Sequence, residues 1–408
     1  MTSTWTLSDD QRTQMHDLYR RLHAHPELSM QEHRTAQLLE DALAELGIES
    51  FRCGGTGVVG IIRNGDGPVV GFRADTDGLP IREDSGVDCA STDTGRLDDG
   101  TEVPVMHGCG HDTHVTALLT AARVLMGMRD RWSGTLVLIF QPGEETAAGS
   151  RAMVDDGLWD RAPKPEVVYG QHVMPGIAGT VRLVAGPVMS YADSWRVTVH
   201  GRQTHGSQPE NGVDPIVLGA HIVTRLQGVV SREIPALRSS VVTVGTFHAG
   251  LKENIIPADA QFTLNIRSLD DDVRETVLAA VRRIISAEAA ASGAPEPRIE
   301  ELYRFPRNLN DAEETEALRK HLVQALGEDS VLETEPMMGS EDFGTLAESI
   351  GVPSVFWFFG GFTPEQMAAE NPPVNHSPQF APVMEPTLST GLAAVMAAVL
   401  GKLGTERP

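Results

Sequence analysis

Thr135-Leu136-Val137-Leu138-Ile139-Phe140-Gln141-Pro142-Gly143-Glu144-Glu145 sets an apolar run directly against a stiff turn and two adjacent acids. An apolar stretch with no polar alternation reads as a strand covered on both faces. Two other places repeat the pattern. Val69 to Arg73 runs into Ala74-Asp75-Thr76-Asp77, and Val167 to Tyr169 runs into Gly170-Gln171-His172. Between them, Val115 to Met128 places Ala, Leu, Val and Met at helical spacing. Strand, polar loop and helix in alternation predict an α/β domain with a central, mostly parallel sheet. In such sheets sites gather beyond the carboxyl ends of the strands, which is where the acids and histidines fall.

Working outward, residues 8–46 read as two helices broken near Pro26, with Gly47 as the stop. Val58 to Arg63 and Val69 to Arg73 flank the turn Asn64-Gly65-Asp66-Gly67-Pro68. The texture changes near Gly186-Pro187. Ser194 to His200, Ser240 to Thr246 and Ala260 to Arg267 read as strands, and Asp214 to Glu233 and Asp271 to Ala291 as helices. That block predicts a separate α+β unit with an antiparallel sheet. From about Asn308 the α/β texture resumes, with a buried strand in 351–358 and a long helix over 382–403. The expected organisation is a first domain of residues 1–187 and 303–408, interrupted by a domain at 188–302.

The chain of 408 residues is long enough for about two cores. Its 56 acidic against 33 basic residues give a net charge of −23, which argues against a nucleic-acid partner. Cys53, Cys89 and Cys109 are too few and too scattered for a disulfide framework. No apolar run is expected to approach the roughly 18 residues of a membrane span. Residues 1–10 lack a signal-peptide core, so the cytoplasm is the default expectation.

Met106-His107-Gly108-Cys109-Gly110-His111-Asp112-Thr113-His114 concentrates a thiol, three imidazoles and a carboxylate. Such a density is costly to fold unless a cation neutralises it. Glycines on both sides of Cys109 let its side chain and that of His111 meet one centre. Neighbouring residues in a tight turn point apart, so Glu145 is read as a ligand and Glu144 as a general base. His172 at a strand end and His376 in the proline-pinned loop 372–378 complete five candidate ligands: Cys109, His111, Glu145, His172 and His376. A mononuclear tetrahedral site needs only three or four. Five donors therefore point to two divalent cations, the arrangement suited to water attack on an amide. Asp75, Asp77 and His114 are read as supporting residues that orient the ligands.

These residues resemble the metal-dependent amidohydrolase and peptidase family of aminoacylases, hippurate hydrolases and indole-acetyl-amino-acid hydrolases. The resemblance runs from Arg20-Arg21-Leu22-His23-Ala24-His25-Pro26-Glu27-Leu28-Ser29 through Gly201-Arg202-Gln203-Thr204-His205-Gly206 and Asn254-Ile255-Ile256-Pro257 to Asn375-His376-Ser377. It implies a di-metal catalytic domain, an inserted lid that commonly dimerises, and Cys109 as the bridging ligand. It further implies that His205 stabilises the oxyanion and that Asn254 and Arg267 hold the substrate. Asp75-Thr76-Asp77 and Cys109 stand where wider relatives carry His-x-Asp and an acidic bridge, which places the chain nearer the hippurate hydrolases. The expected activity is hydrolysis of N-acyl amino acids or similar small amides with two ions drawn from zinc, manganese, cobalt or nickel. A dipeptidase or N-carbamoyl-amino-acid hydrolase is the alternative on the same scaffold, and a non-catalytic metal-binding protein the alternative from another class. The expected partners are a small amide and a second copy of the chain, with no nucleic acid and no membrane.

Overall fold

The computed structural model describes residues 5–404. They divide into two compact units: 5–188 with 309–335 and 342–404, and 189–308 with 336–341.

The first unit is built on an eight-stranded sheet. Its spatial order is Glu49–Cys53, Gly57–Asn64, Gly134–Gln141, Val69–Asp75, Val167–Ile177, Ser354–Phe362, Val181–Leu183 and Val331–Glu333. The third to sixth strands in that order run parallel. Antiparallel strands, Gly57–Asn64 and Val181–Leu183, flank them. The apolar run is covered on both faces as its composition demands, with Leu136 to Phe140 buried throughout. Helices His111–Gly127 and Met384–Leu403 place Leu118, Leu125, Leu392 and Val395 in one core with Phe72, Leu138, Tyr169 and Trp357. Each such side chain taken from water contributes about 1.5–3 kcal/mol. From Val69–Asp75 the chain passes through the first of these helices to Gly134–Gln141 on one side. It then crosses to Val167–Ile177 on the other. The connections part at Val69–Asp75, and its carboxyl end opens the crevice where α/β sites form.

Three expectations change. The strand at 167 does not stop before His172 but continues to Ile177. Its pairing with Val69–Asp75 ends at Gly170, yet Ser354–Phe362 keeps pairing with it on the other side. The helix after the Cys/His cluster starts at His111 rather than Val115, entered through Gly110 at φ 79°. Finally, Met384–Leu403 is long and apolar enough to cross a membrane. It is apolar because it is a core helix, with Leu388, Leu392, Val395, Val399 and Leu403 buried against the sheet.

The second unit carries a four-stranded antiparallel sheet in the order Ser240–Ala249, Asp259–Ser268, Tyr191–His200 and Arg298–Phe305. Pro215–Glu233 and Asp271–Ala291 bury Leu218, Ile222, Val277 and Ile285 against Trp195, Val197, Phe262 and Leu264. The Asp214 carboxylate starts the first of these helices by accepting from the backbone of Ile216 and Val217. A return to the first unit at residue 303 would cut the last strand, which pairs with Tyr191–His200 as far as Phe305, so the return lies at Leu309. Residues 336–341 also rejoin the second unit, where the Ser190 N–H donates to the Gly339 carbonyl at 2.8 Å.

One buried ion cluster fastens the framework beneath the Cys/His segment. His23, on helix Asp9–Ala24, lies 2.6 Å from Asp112 Oδ2 and 3.0 Å from Glu83 Oε1, and all three side chains are fully buried. Burial opposes the charged ring, but Asp112 and then Glu83 outweigh it and lift His23 from 6.5 to about 10. Both carboxyls are held below their ordinary range against burial, Asp112 by His107 and His23, Glu83 by His23. Next to Glu83, the Asp84 N–H donates to the Pro378 carbonyl at 2.8 Å, which ties in the loop that bears His376.

A pKa raised on folding contributes stability that is complete below the unfolded value and vanishes as pH climbs through the folded one. For His23 that window runs from 6.5 to about 10. His23→Gln should therefore cost about 3–5 kcal/mol near pH 6.5 by leaving buried carboxylates unpaired. The deficit should shrink towards pH 10, as read from urea unfolding across that range.

Candidate metal centre

The cluster is assembled from two strand ends, the middle of a third strand, one helix start and one distant loop. His111 opens helix His111–Gly127 and is fully buried. Its Nδ1 lies 3.0 Å from the Asp77 carbonyl and 3.1 Å from Asp77 Oδ1, so that nitrogen carries a proton and Nε2 is the one turned toward the other donors. His172 Nδ1 donates to the Val173 carbonyl at 2.7 Å, which leaves its Nε2 3.4 Å from Cys109 Sγ. His376 Nε2 lies 3.2 Å from the same sulfur and 3.3 Å from Glu145 Oε1. Glu145 Oε1 is in turn 3.9 Å from His111 Nε2. The His376 backbone sits at φ 66°, with its N–H on the Gly108 carbonyl at 2.8 Å. A non-glycine residue in that region is strained and is held by its surroundings.

The turn that carries Glu144 and Glu145 is bounded by two left-handed residues, Gly143 at φ 55° and Ala147 at φ 58°, and it brings an oxygen of each carboxylate within 4.8 Å of the other. Ala147 N–H closes the turn on the Glu144 carbonyl at 2.8 Å, and Glu145 N–H donates to Asp77 Oδ2 at 3.1 Å. Glu144 is buried, and its carboxylate falls in one group with His111 and Glu145.

Cys109, His111 and His172 form one triad, and Cys109, Glu145 and His376 another, with the donor atoms of each within 4.8 Å of one another. The sulfur is common to both. His111 Nε2 and Glu145 Oε1 are buried with no hydrogen-bond partner among the described residues. Orphaned lone pairs of this kind call for a cation, and a donor set of thiolate, imidazole and carboxylate fits a divalent first-row metal. Burial, reinforced by Glu145 and Glu144, pushes the Cys109 thiol well above its ordinary value, so thiolate formation there needs a positive charge beside it. Burial and the neighbouring His114 hold His172 neutral, as a ligand must be. Burial also opposes a charged His111, but Asp75, then Asp77 and Glu145, raise it to about 10 in the protein alone.

His114 does not join the donors. Its Nδ1 is hydrogen-bonded to Asp75 Oδ1, and its Nε2 accepts the Val173 N–H at 2.8 Å. Asp75 Oδ2 takes the Arg73 guanidinium at 2.6 Å. Against burial, Arg73, then His111 and His114, hold the Asp75 carboxyl well below its usual range. Arg73 is fully buried and also donates to Gln141 Oε1 at 2.9 Å and Asp342 Oδ1 at 3.2 Å. Asp342 further accepts from Gln141 Nε2 at 2.6 Å and from the Ser150 N–H at 3.0 Å. Sequence reasoning gave Arg73 and Asp342 no part. A charge inside an apolar strand was the available signal for Arg73, and no local pattern marks Asp342. His107 is buried with neither ring nitrogen hydrogen-bonded among the described residues, and it lies outside both triads.

His205, Asn254 and Arg267 belong to the second unit. A short ribbon pairs Thr204–His205 with Ile255–Ile256, and the Gly206 N–H donates to the Asn254 carbonyl at 2.8 Å, which makes His205 and Asn254 neighbours. His205 is exposed, and its Nδ1 accepts from the Ser207 N–H at 3.1 Å, leaving the proton on Nε2. Arg267 is already engaged: Nε donates to Asn265 Oδ1 at 2.8 Å and Nη1 to the Met338 carbonyl at 2.7 Å.

The family described as peptidase family M20/M25/M40 matches residues 71–399. The chain is 37% identical over 383 residues to thermostable carboxypeptidase 2 of Saccharolobus solfataricus, covering 92% of each. It is 35% identical over 331 residues to the hippurate hydrolase of Campylobacter jejuni, covering 80% of this chain and 83% of that one. Among solved structures it is similar to the YxeP protein of Bacillus subtilis, described as a dinuclear metal binding peptidase. There the TM-score is 0.78 at 28% identity, covering 97% of this chain and 99% of that one.

Because both triads share the sulfur, Cys109→Ala should abolish tight binding at both positions. His114→Asn should leave two ions bound but weaken them about 10–100-fold. Metal analysis after dialysis against a graded chelator distinguishes the two results.

Proposed function

The chain belongs to peptidase family M20/M25/M40 and is a metal-dependent amidohydrolase, and from that premise we propose that it hydrolyses the amide bond of N-acyl amino acids. The observation that carries this reading is the pair of donor triads sharing Cys109, with the Glu144 carboxylate beside them. Cys109, His111, Glu145, His172 and His376 would hold two divalent ions, drawn from zinc, manganese, cobalt or nickel. Bound there, such ions polarise an amide carbonyl and lower the pKa of water.

Glu144 takes a proton from the attacking water as its oxygen bonds to the carbonyl carbon. The same carboxyl then passes that proton to the amide nitrogen as the carbon–nitrogen bond breaks, releasing a carboxylate and an amine. Burial of Glu144 keeps bulk water from competing for the proton. His205 offers an Nε2–H, the form needed to donate to a carbonyl oxygen gaining charge, and a donor of this kind contributes about 3–4 kcal/mol. Asn254, beside it, would hold the substrate. Arg267 has Nε and Nη1 committed, so its part would fall to Nη2.

A carboxypeptidase and a hippurate hydrolase both cleave an amide whose amine side carries a free carboxylate, which supports this substrate class. The carboxypeptidase likeness also favours a second reading, a peptide or dipeptide cleaved at its free carboxyl end. N-acyl, peptidyl and carbamoyl substrates compared by kcat/KM separate the two.

We further propose a homodimer through the second unit. The strand Ser240–Ala249 lies at its sheet edge with Val241 and Phe247 exposed, and Ile216 and Val217 are exposed on helix Pro215–Glu233. An open edge with apolar neighbours favours pairing with another copy. The three cysteines are free, in keeping with a reducing compartment such as the cytoplasm.

Glu144→Gln should keep its metal and its thermal midpoint while kcat falls by about 10²–10⁴. Near-normal turnover in that variant would overturn the assignment. If His205 serves the partner's site, mixing inactive Glu144→Gln with inactive His205→Ala protein should restore activity, measured after subunit exchange.

A further inference from the structure

Glu32 is fully buried, has no ion-pair partner within reach among the described residues, and belongs to neither of the two donor triads that share Cys109. Its carboxylate is instead occupied by the backbone. Oε1 accepts the Gly143 N–H at 2.8 Å and the Met30 N–H at 2.9 Å, and Oε2 accepts the Thr56 hydroxyl. We propose that Glu32 is a positioning residue, which aims Glu144 and Glu145 by pinning the turn that carries them. The proposal rests on the roles given above to those two acids.

The junction it holds is strained at Met30, a non-glycine residue in left-handed backbone. Gly143 lies at φ 55° and Met30 at φ 63°, both left-handed, and they face each other across the shared oxygen. A Cβ on Gly143 would stand 2.5 Å from Met30 Sδ and 3.0 Å from its Cγ, so a side chain there would displace that of Met30. Such backbone persists only where neighbouring groups over-determine it. A buried carboxyl oxygen accepting from both N–H groups does so, while burial and then Asp77 raise the Glu32 carboxyl from 4.5 to about 7.

From this anchor the turn runs to a second. The Gly143 carbonyl accepts from Ala148 N–H at 3.2 Å and Gly149 N–H at 3.1 Å. Two residues after Gly143, the Glu145 N–H donates to Asp77 Oδ2 at 3.1 Å, and Ser29 Oγ donates to the same oxygen at 2.6 Å. The turn thus hangs between two buried carboxylates, Glu32 at its entry and Asp77 at its centre, with Glu144 between the two attachment points. Ser29, Met30 and Glu32 lie on one short stretch, so the segment before helix His33–Glu45 supports the backbone of the turn that carries the acids. Release at Gly143 lets the turn pivot about Asp77. Glu144 would then leave its reacting distance, and Glu145 would leave His376.

The test compares Glu32→Ala and Glu32→Gln with Glu144→Gln and Glu145→Ala. Glu32→Ala should lower kcat about 10–100-fold with little change in KM, and weaken metal retention to a similar degree. Glu32→Gln keeps an acceptor oxygen and should recover most of both. Apart from activity, amide exchange in metal-free Glu32→Ala should accelerate in the peptide spanning 140–149 but not in helix His33–Glu45. Should Glu32→Ala fold poorly, Gly143→Ala strikes the same junction from the opposite side and should give the same split between kcat and KM. Unchanged turnover, metal retention and exchange in folded Glu32→Ala would overturn the proposal. A general fall in thermal midpoint with kcat unchanged would also overturn it, in favour of a structural tether. If instead Glu144→Gln and Glu145→Ala keep full turnover, the proposed function fails, while accelerated exchange at 140–149 still supports Glu32 as the anchor of the turn.

Discussion

Two of the rings that face Cys109 commit a proton away from it. His111 donates to Asp77 and His172 to the Val173 carbonyl, so their Nε2 atoms turn inward. With the Cys109 thiol and the Glu145 carboxylate, they bring lone pairs together in a largely buried space. Lone pairs so gathered repel one another unless positive charge lies among them. The remainder of the first unit can be understood as the apparatus that holds these groups against that repulsion.

The apparatus has an apolar and a polar part. The parallel strands, covered on both faces, fix the carboxyl ends from which Asp75, Asp77 and the Glu144–Glu145 turn project. A buried polar frame then sets the directions of the side chains. Arg73 joins Asp75 to Gln141 and Asp342, while His23 joins Asp112 to Glu83. Buried ionic groups give little net stability compared with apolar packing of the same volume. Their presence around this cluster is explained better by orientation than by stability. The strained backbone has the same distribution, since Met30, Ala147 and His376, all left-handed, border the cluster or its supporting turn.

The second unit presents a different chemistry. His205 and Asn254 lie on a solvent-facing ribbon, with the histidine proton placed on Nε2 by the Ser207 backbone. The first unit therefore gathers acceptors and the second offers donors.

Much of this could be read from local pattern. The unbroken apolar run before Gln141-Pro142-Gly143, the glycines around Cys109 and the pair of acids after a stiff turn are features of residue type and near spacing. They identified the parallel sheet, the inserted antiparallel block and the five residues that the fold draws together. What short-range pattern could not supply were pairings between residues far apart in the chain. His114 resembles a ligand as closely as His111 does, and only Asp75 and the Val173 N–H occupy both its nitrogens. The extension of the strand to Ile177 depends on a partner nearly two hundred residues later. Arg73 with Asp342, and Glu32 with Gly143, are contacts across 269 and 111 positions. Backbone preference and hydrophobic periodicity act over a few residues, so they are written along the chain. The direction of a buried polar side chain depends on which distant group lies opposite it, and only folding brings that group there.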